Sequence, residues 1–224
     1  MNKNNRIYFL SLFLFCFTIS NAQVKDAGLW LNVTAEKKLT SKLALQLCEE
    51  LRFNENITEL GTAFTEIGVN YKITKGLTGG AFYRYIQNKR VDDFYSFRHR
   101  YYFDLSYKLK IKKLSLAMRG RFQSQYKDVN TSETGSVPGD YLRSKFALKY
   151  NTDKKYSPFV SVEFFNWLND PEGAAVDNIR YQLGLDYELN KFNSISLSYI
   201  INKEVNVNDP WTSYIIALGY KYSF

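Results

Sequence analysis

From residue 27 to residue 224 the chain alternates between apolar and polar positions. The alternation divides into segments at 27–35, 42–53, 62–73, 77–88, 97–110, 114–126, 141–151, 157–168, 178–189, 194–204 and 213–224. In the last of these, Tyr214, Ile216, Leu218, Tyr220, Tyr222 and Phe224 fall on one face. Ser213, Ile215, Ala217, Gly219, Lys221 and Ser223 fall on the other. In segment 97–110 the odd positions from Phe97 to Leu109 are apolar, aromatic or His99, while Arg98, Arg100, Asp104 and Lys108 share the even face. Period two is the signature of a β-strand, whose side chains point alternately to opposite faces. These segments are long for soluble strands, and short connections alternate with longer ones. Thr74–Gly76, Lys112–Lys113, 152–156 and 190–193 are short; 54–61, 89–96, 127–140, 169–177 and 205–212 are longer and carry the Pro, Gly, Asn and Asp clusters that make turns.

Long strands, one apolar face and alternating loop lengths predict an all-β fold, a transmembrane antiparallel up-and-down β-barrel of about 10–12 strands. The segment count sits awkwardly with that. A barrel with both termini on one side of a membrane needs an even number of strands, and eleven segments are present. Ten strands plus an N-terminal segment around Trp30, or twelve strands, would satisfy parity. The terminal Tyr220-Lys221-Tyr222-Ser223-Phe224 resembles the C-terminal signal by which bacterial outer-membrane barrels are recognised for assembly. That resemblance implies the assembly machinery as a partner and Tyr220, Tyr222 and Phe224 as the recognised residues.

The first 22 residues read differently. Lys3 and Arg6 precede an apolar run from Ile7 to Ile19, and Ser20-Asn21-Ala22 supplies small residues. This is the layout of a cleaved secretory signal peptide, which leaves 23–224 as one domain. Cys16 goes with the signal, so Cys48 has no intrachain partner. Aromatic residues make up 17% of the chain, favouring strands. The formal charge is +8, or +6 without Lys3 and Arg6; an exported chain directs that charge to a surface or lumen rather than to nucleic acid.

The motifs Gly28–Trp30, Ala35–Leu39, Glu49–Asn56 and Phe97–Leu105, with the terminal Phe224, resemble a family of small outer-membrane proteins common in Bacteroidetes, the DUF2490-like family of unknown function. The resemblance implies a porin-like barrel in the bacterial outer membrane, surrounded by its lipids. It implies no activity, cofactor or oligomeric state.

Candidate chemistry collects on the polar face: Glu50, Arg52, Glu66, Lys72, Arg84, Arg98, Arg100, Asp104, Lys108, Arg119, Arg121, Arg143, Lys145, Lys149, Glu163, Arg180, Asp186, Glu188 and Lys221. Bases outnumber acids about two to one. Three readings follow. The charges fill a narrow or plugged lumen as ion pairs with trapped water, or they line a small anion-preferring channel. Alternatively the barrel is an outer-membrane lipid hydrolase, using His99 and Ser124 with Gln87 on its outer wall. Arg98, Arg100, Arg119 and Arg121 are expected to crowd across neighbouring strands, about 5 Å apart. No metal-ligand cluster, CxxC, GxSxG or phosphate loop occurs, so no metal or cofactor is expected. Glu49 falls on the apolar face, which points to an interface position or a bulge.

Overall fold

The computed structural model describes residues 25–89, 94–127, 138–152, 154–171, 173 and 175–224. The expected signal peptide lies outside the described residues. Eleven strands follow in order: β1 (Lys25–Lys38), β2 (Leu43–Asn54), β3 (Glu59–Lys72), β4 (Leu77–Lys89), β5 (Tyr95–Ile111), β6 (Leu114–Lys127), β7 (Gly139–Tyr150), β8 (Tyr156–Trp167), β9 (Ala175–Glu188), β10 (Asn193–Glu204) and β11 (Thr212–Ser223). Each hydrogen-bonds to its sequence neighbours, and β1 and β11 close the sheet into a barrel.

The closure settles the parity conflict by a route other than ten or twelve strands. The Trp30 segment is a full strand, paired on both sides. In an up-and-down order of eleven, the first and last strands run the same way, so the seam is parallel, from Lys25 against Thr212 to Glu36 against Ser223. A parallel ladder is slightly weaker per residue than an antiparallel one. An open edge would instead expose two rows of unpaired backbone groups. The terminal residue is stitched into the seam: Phe224 N–H donates to the Glu36 carbonyl at 2.9 Å, and Lys38 N–H donates to the Phe224 carbonyl at 3.0 Å.

Connections at one end span 39–42, 73–76, 112–113, 151–155 and 189–192; those at the other span 55–58, 90–94, 128–138, 168–174 and 205–211. The 54–61 segment, expected to be a long loop, is a four-residue turn, because β2 and β3 continue past the expected boundary with a register shift between Arg52 and Phe53. Glu55, Asn56 and Ile57 there take positive φ, and Asn56 N–H donates to the Asp26 carboxylate at 2.9 Å. That bond ties the turn to the start of β1 and offsets part of the cost of left-handed backbone at non-glycine residues.

The outer wall is apolar and open: Phe103 and Leu183 are 60% exposed and Leu105 55%. Glu66, Arg84, Arg121, Arg143 and Glu163 are buried inside. Such an extensive apolar exterior is incompatible with bulk water. Inside, Phe82 lies flat across β3 and β4 and stacks on Tyr102, ring centroids 4.7 Å apart. It fits because Gly68 and Gly80 have no side chains; a Cβ on Gly68 would lie 2.0 Å from the Phe82 ring. Gly68→Ala should therefore displace Phe82 and destabilise the barrel by about 1–3 kcal/mol, as overpacking does. A lowered midpoint of urea unfolding in detergent, followed by heat-modifiable gel mobility, checks this.

Candidate functional site

The interior is organised by a chain of alternating guanidinium groups and aromatic rings. Arg52 lies over Trp30 at 3.8 Å and near Phe64 at 5.2 Å. Arg84 covers Phe64 at 3.7 Å, and Arg121 covers Tyr102 at 3.6 Å. On the other side, Arg180 approaches Trp30 at 5.0 Å and Phe165 at 4.9 Å, while Arg143 covers Phe165 at 4.1 Å. Arg121 and Arg143 are cross-strand neighbours on β6 and β7. The chain thus runs from β9 through β1 to β7 and β8, leaving only β10 and β11 without a member. Each such contact stabilises by roughly 0.5–2 kcal/mol, the upper end where the cation is desolvated.

The guanidinium edges find carboxylates where there are enough. Arg52 pairs with Glu50 at 2.6 Å, Arg121 with Asp104 through two bonds of 2.7 Å, and the Arg84 Nε donates to Glu66 at 2.7 Å. Glu163 serves both Arg119 and Arg143. Lower in the barrel, Lys149 pairs with Asp186 at 2.7 Å and Lys221 with Glu36 at 2.8 Å. The acids then run out. Arg100 donates to the Gln125 amide oxygen, Arg180 to Asn202 at 3.0 Å and Lys145 to Gln182 at 3.2 Å. Among the described residues none of these three cations has a carboxylate partner.

Between these groups lies a cavity of about 520 Å³. Seven arginines and Lys145 line it, against Glu50, Glu163 and Asp177, with Glu66 and Asp104 behind as partners of Arg84 and Arg121. Among the described residues, eight cations meet five carboxylates. The cavity is eccentric. Bulky Arg and aromatic side chains fill the β4–β7 side, whereas β10 and β11 present Ser196, Ser198, Ala217 and Gly219.

One sequence expectation is corrected, and of the two offered for Glu49, an interface position or a bulge, the bulge is excluded. Arg98 and Arg100 are not opposite Arg119 and Arg121. The two-residue turn at Lys112–Lys113 sets Arg98 against Lys127, Arg100 against Gln125, Asp104 against Arg121 and Ser106 against Arg119. The real crowding is across the two flanking strand pairs, Arg84 beside Arg100 on β4 and β5 and Arg121 beside Arg143 on β6 and β7. Glu49 is outward and exposed without a bulge: it accepts a hydrogen bond from the Thr65 hydroxyl at 3.0 Å, and the register shift lies at Arg52/Phe53 instead. Sequence reading also missed the aromatic half of the belt, because Trp30, Phe64, Tyr102 and Phe165 sit on a face otherwise read as polar. Their parity with Asn32, Glu66, Arg100 and Glu163 is the signal that would have found them.

On the outer wall, His99 is opposite Tyr85 and Tyr126, and its Nδ1 shares a 2.8 Å hydrogen bond with the Tyr83 hydroxyl. Ser124 faces Tyr101, and its hydroxyl donates to Asp140. Gln87 is opposite Phe97. His99 and Ser124 are thus diagonal neighbours with separate partners. Tyr220, Tyr222 and Phe224 are exposed on the outer wall, and the Tyr222 and Phe224 rings stack at 5.0 Å. Among the described residues no three His, Cys, Asp or Glu side chains converge as metal ligands.

The model of a family described as protein of unknown function, DUF2490, matches residues 27–213. The chain belongs to this family. No curated protein matches the DUF2490 chain. Among solved structures it is similar to the NanC porin, with 13% identity over 79% of this chain and 86% of that one and a TM-score of 0.50. It is also similar to the β domain of the Bordetella autotransporter BrkA, with 10% identity over 84% and 86% and a TM-score of 0.50. At these identities the likeness is one of fold, a closed β-barrel.

Breaking one buried pair tests how far the DUF2490 barrel depends on the network. Arg84 and Glu66 side chains are only 11% and 5% exposed. Glu66→Ala should destabilise by about 3–5 kcal/mol, because it strands a desolvated guanidinium. Glu66→Met with Arg84→Met should recover most of that loss. Urea unfolding of the unaltered protein and these two variants in detergent reads both values.

Proposed function

We propose that this DUF2490 protein is an outer-membrane β-barrel whose lumen forms a narrow, anion-preferring path rather than a wide aqueous pore. The observation that carries the reading is the imbalance inside: among the described residues, eight cations on one cavity stand against five carboxylates, and Arg100, Arg180 and Lys145 are held by amide oxygens alone. Neutral amides satisfy geometry but not charge, so mobile anions supply the balance. Eleven strands lie nearer the side-chain-filled barrels of about eight strands than the open porins of 16–18, and the arginine–aromatic belt narrows the passage further.

The apolar outer wall supports an outer-membrane setting for this reading. Outer-membrane lipids cover it, an N-terminal signal peptide over residues 1–22 directs export, and Tyr220, Tyr222 and Phe224 present the C-terminal strand to the barrel-assembly machinery. The expected heat-modifiable gel mobility and β-dominated circular dichroism in detergent would fail to appear for a soluble periplasmic protein.

Planar-bilayer recording tests the path itself. The expected result is no large steady pore and a small conductance whose reversal potential in a potassium chloride gradient favours chloride. Arg100→Glu together with Arg180→Glu should abolish or reverse that preference while gel mobility shows the barrel intact. A large cation-selective conductance in the unaltered protein would overturn the proposal.

A further inference from the structure

We infer that the lumen cavity is a binding site for a hydroxyl-rich carboxylate, a sugar acid, rather than for inorganic anions or neutral sugars. The inference rests on the anion-preferring reading and deepens it.

Three features of the cavity point to this class together. The first is fixed positive charge at separate points. Arg180 is gripped between the Trp30 and Phe165 rings with its Nε on Asn202, and Arg100 is held on Gln125. Both are oriented without being neutralised, which suits a planar carboxylate accepting two N–H bonds from one fork. The second is the opposite wall. On β10 and β11 the cavity meets Ser196, Ser198, Ala217 and Gly219, which carry no charge and leave room. Ser198 Oγ accepts from the Gln182 amide at 3.0 Å, so its own hydroxyl hydrogen is free to donate. This wall can exchange hydrogen bonds with hydroxyls and has nothing to offer a second anionic group.

The third feature is a set of three side-chain atoms left without a hydrogen-bond partner. Asn178 Oδ1 and Asp177 Oδ1, both acceptors, and Arg119 Nε, a donor, are buried and unbonded, and all three residues line the cavity. A bare anion would serve Arg119 and leave the two oxygens without a donor. A neutral apolar solute would serve none of them. A hydroxyl both donates and accepts, so a ligand with several hydroxyls satisfies all three atoms while its carboxylate meets the surplus cations. At the long-loop end Tyr141 lines the cavity and stacks on Trp167, rings 6.0 Å apart and within 10° of parallel; this flat apolar platform suits the C–H face of a pyranose. The volume of about 520 Å³ is in the range of small-molecule sites.

Isothermal titration calorimetry on the full barrel in detergent tests this without depending on current. The probes are sodium glucuronate, glucose, sodium propionate and sodium chloride. Glucuronate should give a saturable heat, and the other three should bind at least tenfold more weakly. Arg180→Gln should weaken glucuronate at least tenfold. Gly219→Phe keeps every charge but fills the open side, since a Cβ there meets its neighbours only at ordinary contact distances of 3.6 Å and beyond; it should abolish the heat while gel mobility reports an intact barrel. Propionate binding as tightly as glucuronate would overturn the hydroxyl-recognising wall, and glucose doing so would overturn the role of charge. No saturable glucuronate heat would overturn the site altogether. In each case, chloride preference in the bilayer recordings would leave the anion path standing, whereas cation preference there would remove both.

Discussion

A guanidinium taken out of water needs hydrogen-bond acceptors at its edge and something polarisable over its face, and the interior of this barrel is arranged around that requirement. Carboxylates meet the edges of Arg52, Arg84, Arg121 and Arg143, and Trp30, Phe64, Tyr102 and Phe165 meet the faces. Because each ring sits between cations from different strands, the belt couples β7, β8 and β9 through β1 to β6. Loss of one member leaves its neighbours incompletely covered, so the network behaves as a unit rather than as separate pairs.

The same arrangement leaves a gap. Where β10 and β11 face the cavity they present the short, uncharged Ser196, Ser198, Ala217 and Gly219, so the belt is interrupted and the cavity opens there. This asymmetry gives the lumen its chemical character: positive and rigid on one side, neutral and open on the other. Shape and charge therefore come from one device, since the rings that narrow the barrel also hold cations in place without cancelling them.

The parallel seam is the cost of an odd strand count. Eleven strands in up-and-down order admit no other closure, and pairing from Lys25 to Glu36 leaves no long edge exposed. The backbone bonds of Phe224 extend the ladder past the last strand residue, so the aromatic terminus contributes to closure as well as to the outer wall.

Much was legible in the sequence. Period-two alternation located all eleven strands, since the pleat assigns every second residue to one face. It put His99 on the outer wall and Arg84, Arg100, Arg121, Glu163 and Arg180 on the inner. The expectation that Arg98 and Arg100 crowd Arg119 and Arg121 was wrong, because the two-residue turn at Lys112–Lys113 sets a register that keeps them apart. What sequence did not determine was which inward side chains meet across the lumen. Arg180 reaches Trp30 and Lys145 reaches Gln182 only because closure and stagger bring distant strands to one height. The odd count was visible as eleven segments, but its solution was not: whether a first strand pairs with the last depends on curvature accumulated around the whole sheet, a property no single segment carries.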